Sequence, residues 1–259
     1  QVMGPGDDLA RAIERAAAEK PDAVVVGGGD GTLSTAAGVL ARGPVPLGVL
    51  PLGTLNHFAR DLGVPTDLAQ AVRAIAHGRD VAVDTGEVNG QLFLNNSSIG
   101  IYPHFVIERE QKQRLGWPKW PAAIPAAIAS LHRFPYVDVE LEIDGKCIRR
   151  STPCVFVGNN EYELGGLALG ERERLDEGVL TLHVTHRIGR LGLLRMAFLA
   201  LFGRLERDRD FDRYRVRSIR VHTRHARLRV STDGEVHLMP APLDYRVRPR
   251  ALRVRVPAG

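Results

Sequence analysis

Val24-Val25-Val26-Gly27-Gly28-Gly29-Asp30-Gly31-Thr32 is the stretch on which the fold turns. The valine run, behind Pro21 and Ala23, reads as a short strand buried on both faces. Three glycines end it, and Thr32 to Ala41 continues with helical spacing. Glycine lets the backbone approach an anion closely and admits positive φ, so successive N–H groups can turn toward one phosphate. The helix start that follows adds its partial positive charge. Asp30 is an acceptor-only carboxylate beside such a loop, which suits Mg²⁺, a cation that takes oxygen ligands and retains water. Thr32 offers a hydroxyl to a phosphate or caps the helix. A tight turn whose glycines serve geometry alone is the competing reading; four glycines around one aspartate favour the phosphate. The stretch is neither a P-loop, which needs Lys-Ser/Thr after its second glycine, nor a dinucleotide G-x-G-x-x-G.

Working outward, helical and strand patterns alternate through the first 80 residues. Asp8 to Glu19 carries Leu9, Ile13 and Ala16 or Ala17 on one face behind a capping Asp7. Leu47 to Leu50 reads as strand, Leu55 to Leu62 as helix, and Asp67 caps a helix running to His77. Such alternation predicts a parallel sheet covered by helices. A second loop, Pro51 to Gly63, follows the next strand. Loops after strand C-termini line the ligand crevice of parallel sheets, so both loops are expected on one cleft. Thr54 and Asn56 bring hydrogen-bonding groups there, or simply cap the helix.

From Val81 the period changes to two. Asn89-Gly90 and Asp144-Gly145 are hairpin dipeptides between alternating runs, and Thr181 to Val184, Ile219 to Val221, Leu228 to Val230 and Leu252 to Val256 alternate likewise. The expected fold is α/β plus all-β: a Rossmann-like nucleotide-binding domain over residues 1–84, followed by an antiparallel β-sandwich over 85–259. Two apolar helices, at 121–132 and 191–202, interrupt the second part. They line an acyl groove, touch a bilayer or pack in the core. Trp117 and Trp120 suit a bilayer interface, and Arg204, Arg207 and Arg209 suit anionic lipid.

Composition narrows the classes. With 259 residues, 44% hydrophobic and 25% charged, the chain is neither disordered nor collagen-like. Its 2 cysteines exclude a disulfide framework and point to a reduced, cytoplasmic compartment. No stretch reaches the roughly 20 apolar residues of a membrane span, and the start lacks the pattern of a signal peptide. Residues 187–259 hold 18 arginines against 7 acids. Such a block meets an anionic partner or lies on solvated strand faces. It lacks the interleaved aromatics of a single-strand binder, so nucleic acid is not expected.

Taken together, Gly27 to Thr32, Pro-Leu-Gly-Thr-Leu-Asn-His-Phe-Ala-Arg at 51–60, Val83 to Asn89, Asn95 to Gly100, Arg174 to Leu180 and Ser231 to Glu235 resemble the diacylglycerol kinase catalytic-domain family, which includes bacterial lipid kinases and sphingosine and ceramide kinases. The resemblance implies ATP in a cleft between the two domains, Mg²⁺, and transfer of the γ-phosphate to a hydroxyl of diacylglycerol or a related lipid drawn from a membrane. It assigns Gly28, Gly29, Asp30, Gly31, Thr32 and Ser34 to the nucleotide, with Thr54 and Asn56 from the second loop. It assigns Glu235 as general base and Asp84 as a further active-site acid, although Asp233-Gly234-Glu235 on pattern alone is a surface hairpin turn. It implies a metal site at Glu177 with the Arg174 and Val179 carbonyls. Glu177 stands where the family has Asp, and His57 replaces a common Asp. The family's first strand and Asn-Pro loop are expected ahead of Gln1. A peripheral site at the inner membrane surface follows, and a homodimer is compatible with the sequence. The alternatives are an NAD kinase, whose family shares Gly-Gly-Asp-Gly-Thr but needs an Asn-Glu dipeptide for its dinucleotide, and a non-catalytic lipid or nucleotide binder.

Overall fold

The computed structural model describes residues 6–103, 106–107, 136–143, 145–161, 172–186 and 211–258, with residues 2 and 4. The expected helices at 121–132 and 191–202, Trp117, Trp120, Arg204, Arg207 and Arg209 lie outside the described residues.

Helix α1 (Leu9–Ala18) starts at Asp8, whose side chain accepts the Arg11 amide. The cap is therefore Asp8 rather than Asp7, whose carboxylate turns back to the Gly4 amide. Strands β1 (Val24–Gly28) and β2 (Leu47–Pro51) pair in parallel, and α2 (Asp30–Leu40) crosses between them, burying Leu33, Ala36, Ala37 and Leu40. Helix α3 (His57–Asp61) and the Asp67-capped α4 (Leu68–His77) complete this layer. Strand β3 (Arg79–Val88) then turns into β4 (Gln91–Phe93) at Asn89 and Gly90, with φ of 47° and 87°, the conformation that the Asn-Gly dipeptide predicts.

The antiparallel part follows as β5 (Asn96–Gly100), β6 (Val137–Ile143), β7 (Lys146–Thr152), β8 (Cys154–Asn159), β9 (Leu180–Thr185), β10 (Phe211–Val216), β11 (Ser218–Thr223), β12 (Arg227–Thr232), β13 (Glu235–Pro240) and β14 (Leu243–Val256). Among the described residues these form two sheets. One runs β1-β2-β14-β11-β6-β7 with β3 and β4 attached through β14, and the other runs β10-β9-β8-β5-β12-β13. Alternation buries Val137, Val139, Leu141 and Ile143 of the first sheet against Val155, Val157, Leu180, Leu182 and Val184 of the second.

The last strand joins the layers. Leu243, Tyr245 and Val247 of β14 pack in the sandwich core, whereas Leu252, Val254 and Val256 pack in the helical layer's core. Between them the register with β3 shifts from Arg248 to Leu252, and Arg250 takes φ of 50°. Beyond that bulge β14 runs parallel to β2, pairing Val254 with Leu47. Residues 252–256, expected within the second domain, thus complete the first sheet. Period-two alternation marks a strand but does not say which sheet receives it.

His183 of β9 is 4% exposed and meets Phe156 edge-on, with ring centroids 5.9 Å apart. Burial, then the charge of Arg213, pushes its pKa down to about 4. The folded chain holds the imidazole neutral, while the unfolded chain protonates it below about pH 6.5. This contribution is complete above that pH and is lost as pH falls toward 4, about 3 kcal/mol in all. Urea unfolding of wild type and His183→Gln at pH 7 and 4.5 checks it: the variant loses less stability between the two.

Candidate active site

The glycine loop is set by close backbone approach. A Cβ on Gly28 would fall 2.6 Å from the Thr32 side chain, and one on Gly53 would collide with the Gly29 backbone. The loops after β1 and β2 therefore touch through glycine, on one cleft as expected. Asp30 ties them together: its carboxylate accepts the amides of His57 at 3.3 Å and Phe58 at 3.1 Å, capping α3 from another element. Asn56 leaves that role open because it sits in the left-handed region, with φ of 50°. Its side chain closes its own loop, accepting from the Gly53 amide at 2.8 Å and donating to the Pro51 and Gly53 carbonyls. Thr54 is exposed at the tip of the same loop.

A third segment arrives from the sandwich. Asp233 and Gly234 take φ of 48° and 86° between β12 and β13, and the Asp233 carboxylate accepts the amides of Leu94, Asn95 and Asn96 at 2.7, 2.7 and 3.1 Å. Ser34 of α2 also interacts with this carboxylate, which braces the turn against the helix. Burial pushes the Asp233 carboxyl above the ordinary range, against the pull of these hydrogen bonds. The turn presents Glu235 to α2: a Cβ on Gly31 would lie 2.8 Å from Glu235 Oε1. The Glu235 side chain is 56% exposed, open to an incoming molecule, with His237 Nε2 at 4.0 Å.

Asp84 is placed otherwise than expected. It is 1% exposed, and its two oxygens accept the Gly178 amide at 2.6 Å and the Arg250 amide at 2.8 Å. Its own amide donates to Leu175 at 2.7 Å. Asp84 thus clamps β3 to the 175–178 loop and the β14 bulge. At the expected metal site, two of the three oxygen donors already have protein partners. Glu177 accepts the Glu161 amide at 3.2 Å and lies 3.9 Å from the Arg215 guanidinium, and the Val179 carbonyl accepts from Asn160 at 2.9 Å. Arg174 pairs with Asp176.

The sequence also gave no warning of Arg172, which lies in a charged run, Glu171 to Arg174, that reads as solvated. Its side chain is fully buried, 2.7 Å from Asp61. Burial raises the Asp61 carboxyl, and Arg172 acts against that rise.

The remaining constellation fits a nucleoside triphosphate. Helix α2 begins at Gly29 with no side chain capping its first turn, which leaves that end to an anion. Among the described residues no group of three His, Cys, Asp or Glu forms a metal cage. Mg²⁺ needs only one or two carboxylates when phosphates supply the rest, and Asp30 and Glu235 are the carboxylates beside the loop.

A family model for the diacylglycerol kinase catalytic domain matches residues 2–88, and one for the YegS C-terminal NAD kinase beta sandwich-like domain matches 109–256. A Pseudomonas aeruginosa protein called "Probable lipid kinase YegS-like" is 34% identical over 271 residues, covering 100% of this chain and 84% of its own. The chain belongs to the diacylglycerol kinase catalytic-domain family. A Staphylococcus carnosus diacylglycerol kinase is 31% identical over 176 residues, covering 67% of this chain and 57% of its own. A diacylglycerol kinase structure from Bacillus anthracis has the same fold, with a TM-score of 0.70 at 23% identity over 99% of this chain and 84% of that one. Membership makes the chain a member of a kinase family and accounts for the glycine loop and the sandwich together.

Two outcomes follow from the geometry. Asp84→Ala loses about 1–3 kcal/mol for each amide left unpaired, read by chemical denaturation. Since Glu177 and Val179 are already bonded, EDTA leaves the Tm of the metal-free-buffer protein unchanged in thermal melts.

Proposed function

We propose that this protein transfers the γ-phosphoryl group of ATP to a hydroxyl of diacylglycerol or a related lipid. One observation carries the reading: Glu235 lies against Gly31, on the first turn of the helix that follows the glycine loop. A base and a phosphate cradle at this distance are what hydroxyl phosphorylation requires. Gly28, Gly29, Gly31 and Thr32 hold the phosphates at the α2 N-terminus. The exposed Glu235 carboxylate accepts the proton of the acceptor hydroxyl as its oxygen bonds to the γ-phosphorus, and ADP leaves. Asp30, fixed by the His57 and Phe58 amides, faces the same phosphates. Mg²⁺ bound with ATP would neutralise their charge. Leu52, 61% exposed, and Leu55, 42% exposed, flank Thr54 and give the cleft an apolar rim.

The lipid acceptor is supported by the names of the relatives. Among the described residues no helix is long and apolar enough to cross a membrane. Radiolabelled ATP offered with diacylglycerol, sphingosine and NAD tests the proposal. Label is expected in lipid; label in NAD alone makes the chain a dinucleotide kinase, and label in neither makes it a binder. Glu235→Gln is expected to lower kcat by about 10²–10⁴-fold with Tm preserved.

A further inference from the structure

Asn95 is 3% exposed, and every polar group it has is engaged. Its amide donates to Asp233 Oδ1 at 2.7 Å, and its carbonyl accepts from the Asn159 amide at 2.9 Å. Its side-chain oxygen accepts from Arg172 Nη2 at 2.9 Å. An amide that accepts at one end presents donors at the other, and Nδ2 faces Asp30 Oδ1 at 3.5 Å. One residue therefore touches the glycine loop through its side chain and the Asp233–Glu235 turn through its backbone.

Arg172 decides which way that amide points. Its guanidinium also donates to Asp61 at 2.7 and 2.8 Å, to the Leu94 carbonyl at 2.6 Å and to the Asn159 carbonyl at 3.3 Å. Arg172 is donor-only, so a flipped Asn95 would put two donors face to face and turn the amide oxygen onto the Asp30 carboxylate. Asp61 sits at the end of α3, the helix Asp30 caps, so the guanidinium links that helix to the 94–96 segment.

We propose that Asn95, locked by Arg172, is a positioning residue that fixes Asp30 of the glycine loop against the turn carrying Glu235. The inference rests on the kinase reading of this site. It assigns Asn95 no contact with a reacting atom; its effect passes through the separation of the two halves.

Asn95→Asp separates this role from a structural one. The new carboxylate keeps the Arg172 contact, now charge-assisted, so a residue serving stability alone leaves activity unchanged. A positioning residue instead turns an acceptor-only group toward Asp30 and pushes the loop away. The expected result, measured well below the Tm, is a kcat lower by about 100-fold with KM for ATP and lipid within about threefold. Wild-type kcat in Asn95→Asp overturns the inference alone, whereas a wild-type protein that phosphorylates no lipid overturns the kinase reading. Should Asn95→Asp not fold, Arg172→Lys serves: it keeps the charge beside Asp61, loses the Nη2 donor to Asn95, and is expected to lower kcat likewise, unchanged kcat being contrary. A crystal structure of the Asn95→Asp or Arg172→Lys protein provides a readout besides activity. A changed Asp30–Glu235 separation supports the inference, and the wild-type separation overturns it.

Discussion

The carboxylate of Asp30 accepts the amides of His57 and Phe58, and this pairing across two loops is the constraint on which the cleft depends. It depends on Gly53, where a Cβ would fall 2.4 Å from the Gly29 Cα. With the loops held by protein amides, the first turn of α2 stays open to an anion instead of being capped from within. The packing reading of these glycines is thus seen in the fold, and it leaves room for the phosphate reading that we propose.

Charge in this chain divides by burial. Arg220–Asp244 and Arg149–Glu140 are largely exposed pairs that water and salt screen. Arg172–Asp61 is buried on both sides, and breaking such a pair by removing one partner costs about 3–5 kcal/mol. Much of the arginine-rich end is answered within the fold: Arg246 and Arg248 flank buried Glu87, Arg213 and Arg215 meet Glu161, and Arg255 meets Asp80. These pairs neutralise part of the basic block on the strand faces themselves.

The two cores share a sheet, and β14 is the reason. A strand that leaves the sandwich at a bulge and finishes parallel to β2 couples the glycine-loop layer to the sandwich. Asp84 strengthens the coupling by binding that bulge through Arg250. An acidic residue near a cleft is easily taken for a catalytic one; here the two backbone amides it accepts make it a brace.

Local pattern determined much of this protein. The valine run, the Asn89-Gly90 turn, the Asp67 cap and the Asp233-Gly234 turn are set by neighbours a few residues away, so periodicity and turn chemistry suffice to read them. The glycine loop and its acid are contiguous, and so were legible as a candidate phosphate site. Tertiary structure alone decided that Asp30 caps α3, that Asp84 and Ser34 brace loops, that Arg172 is buried, and that residues 252–256 complete the first sheet. Each depends on partners that folding brings from distant parts of the chain, and burial rather than residue type fixes what a charged side chain does. Sequence specifies which groups are present; only the packed chain specifies which of them water can still reach.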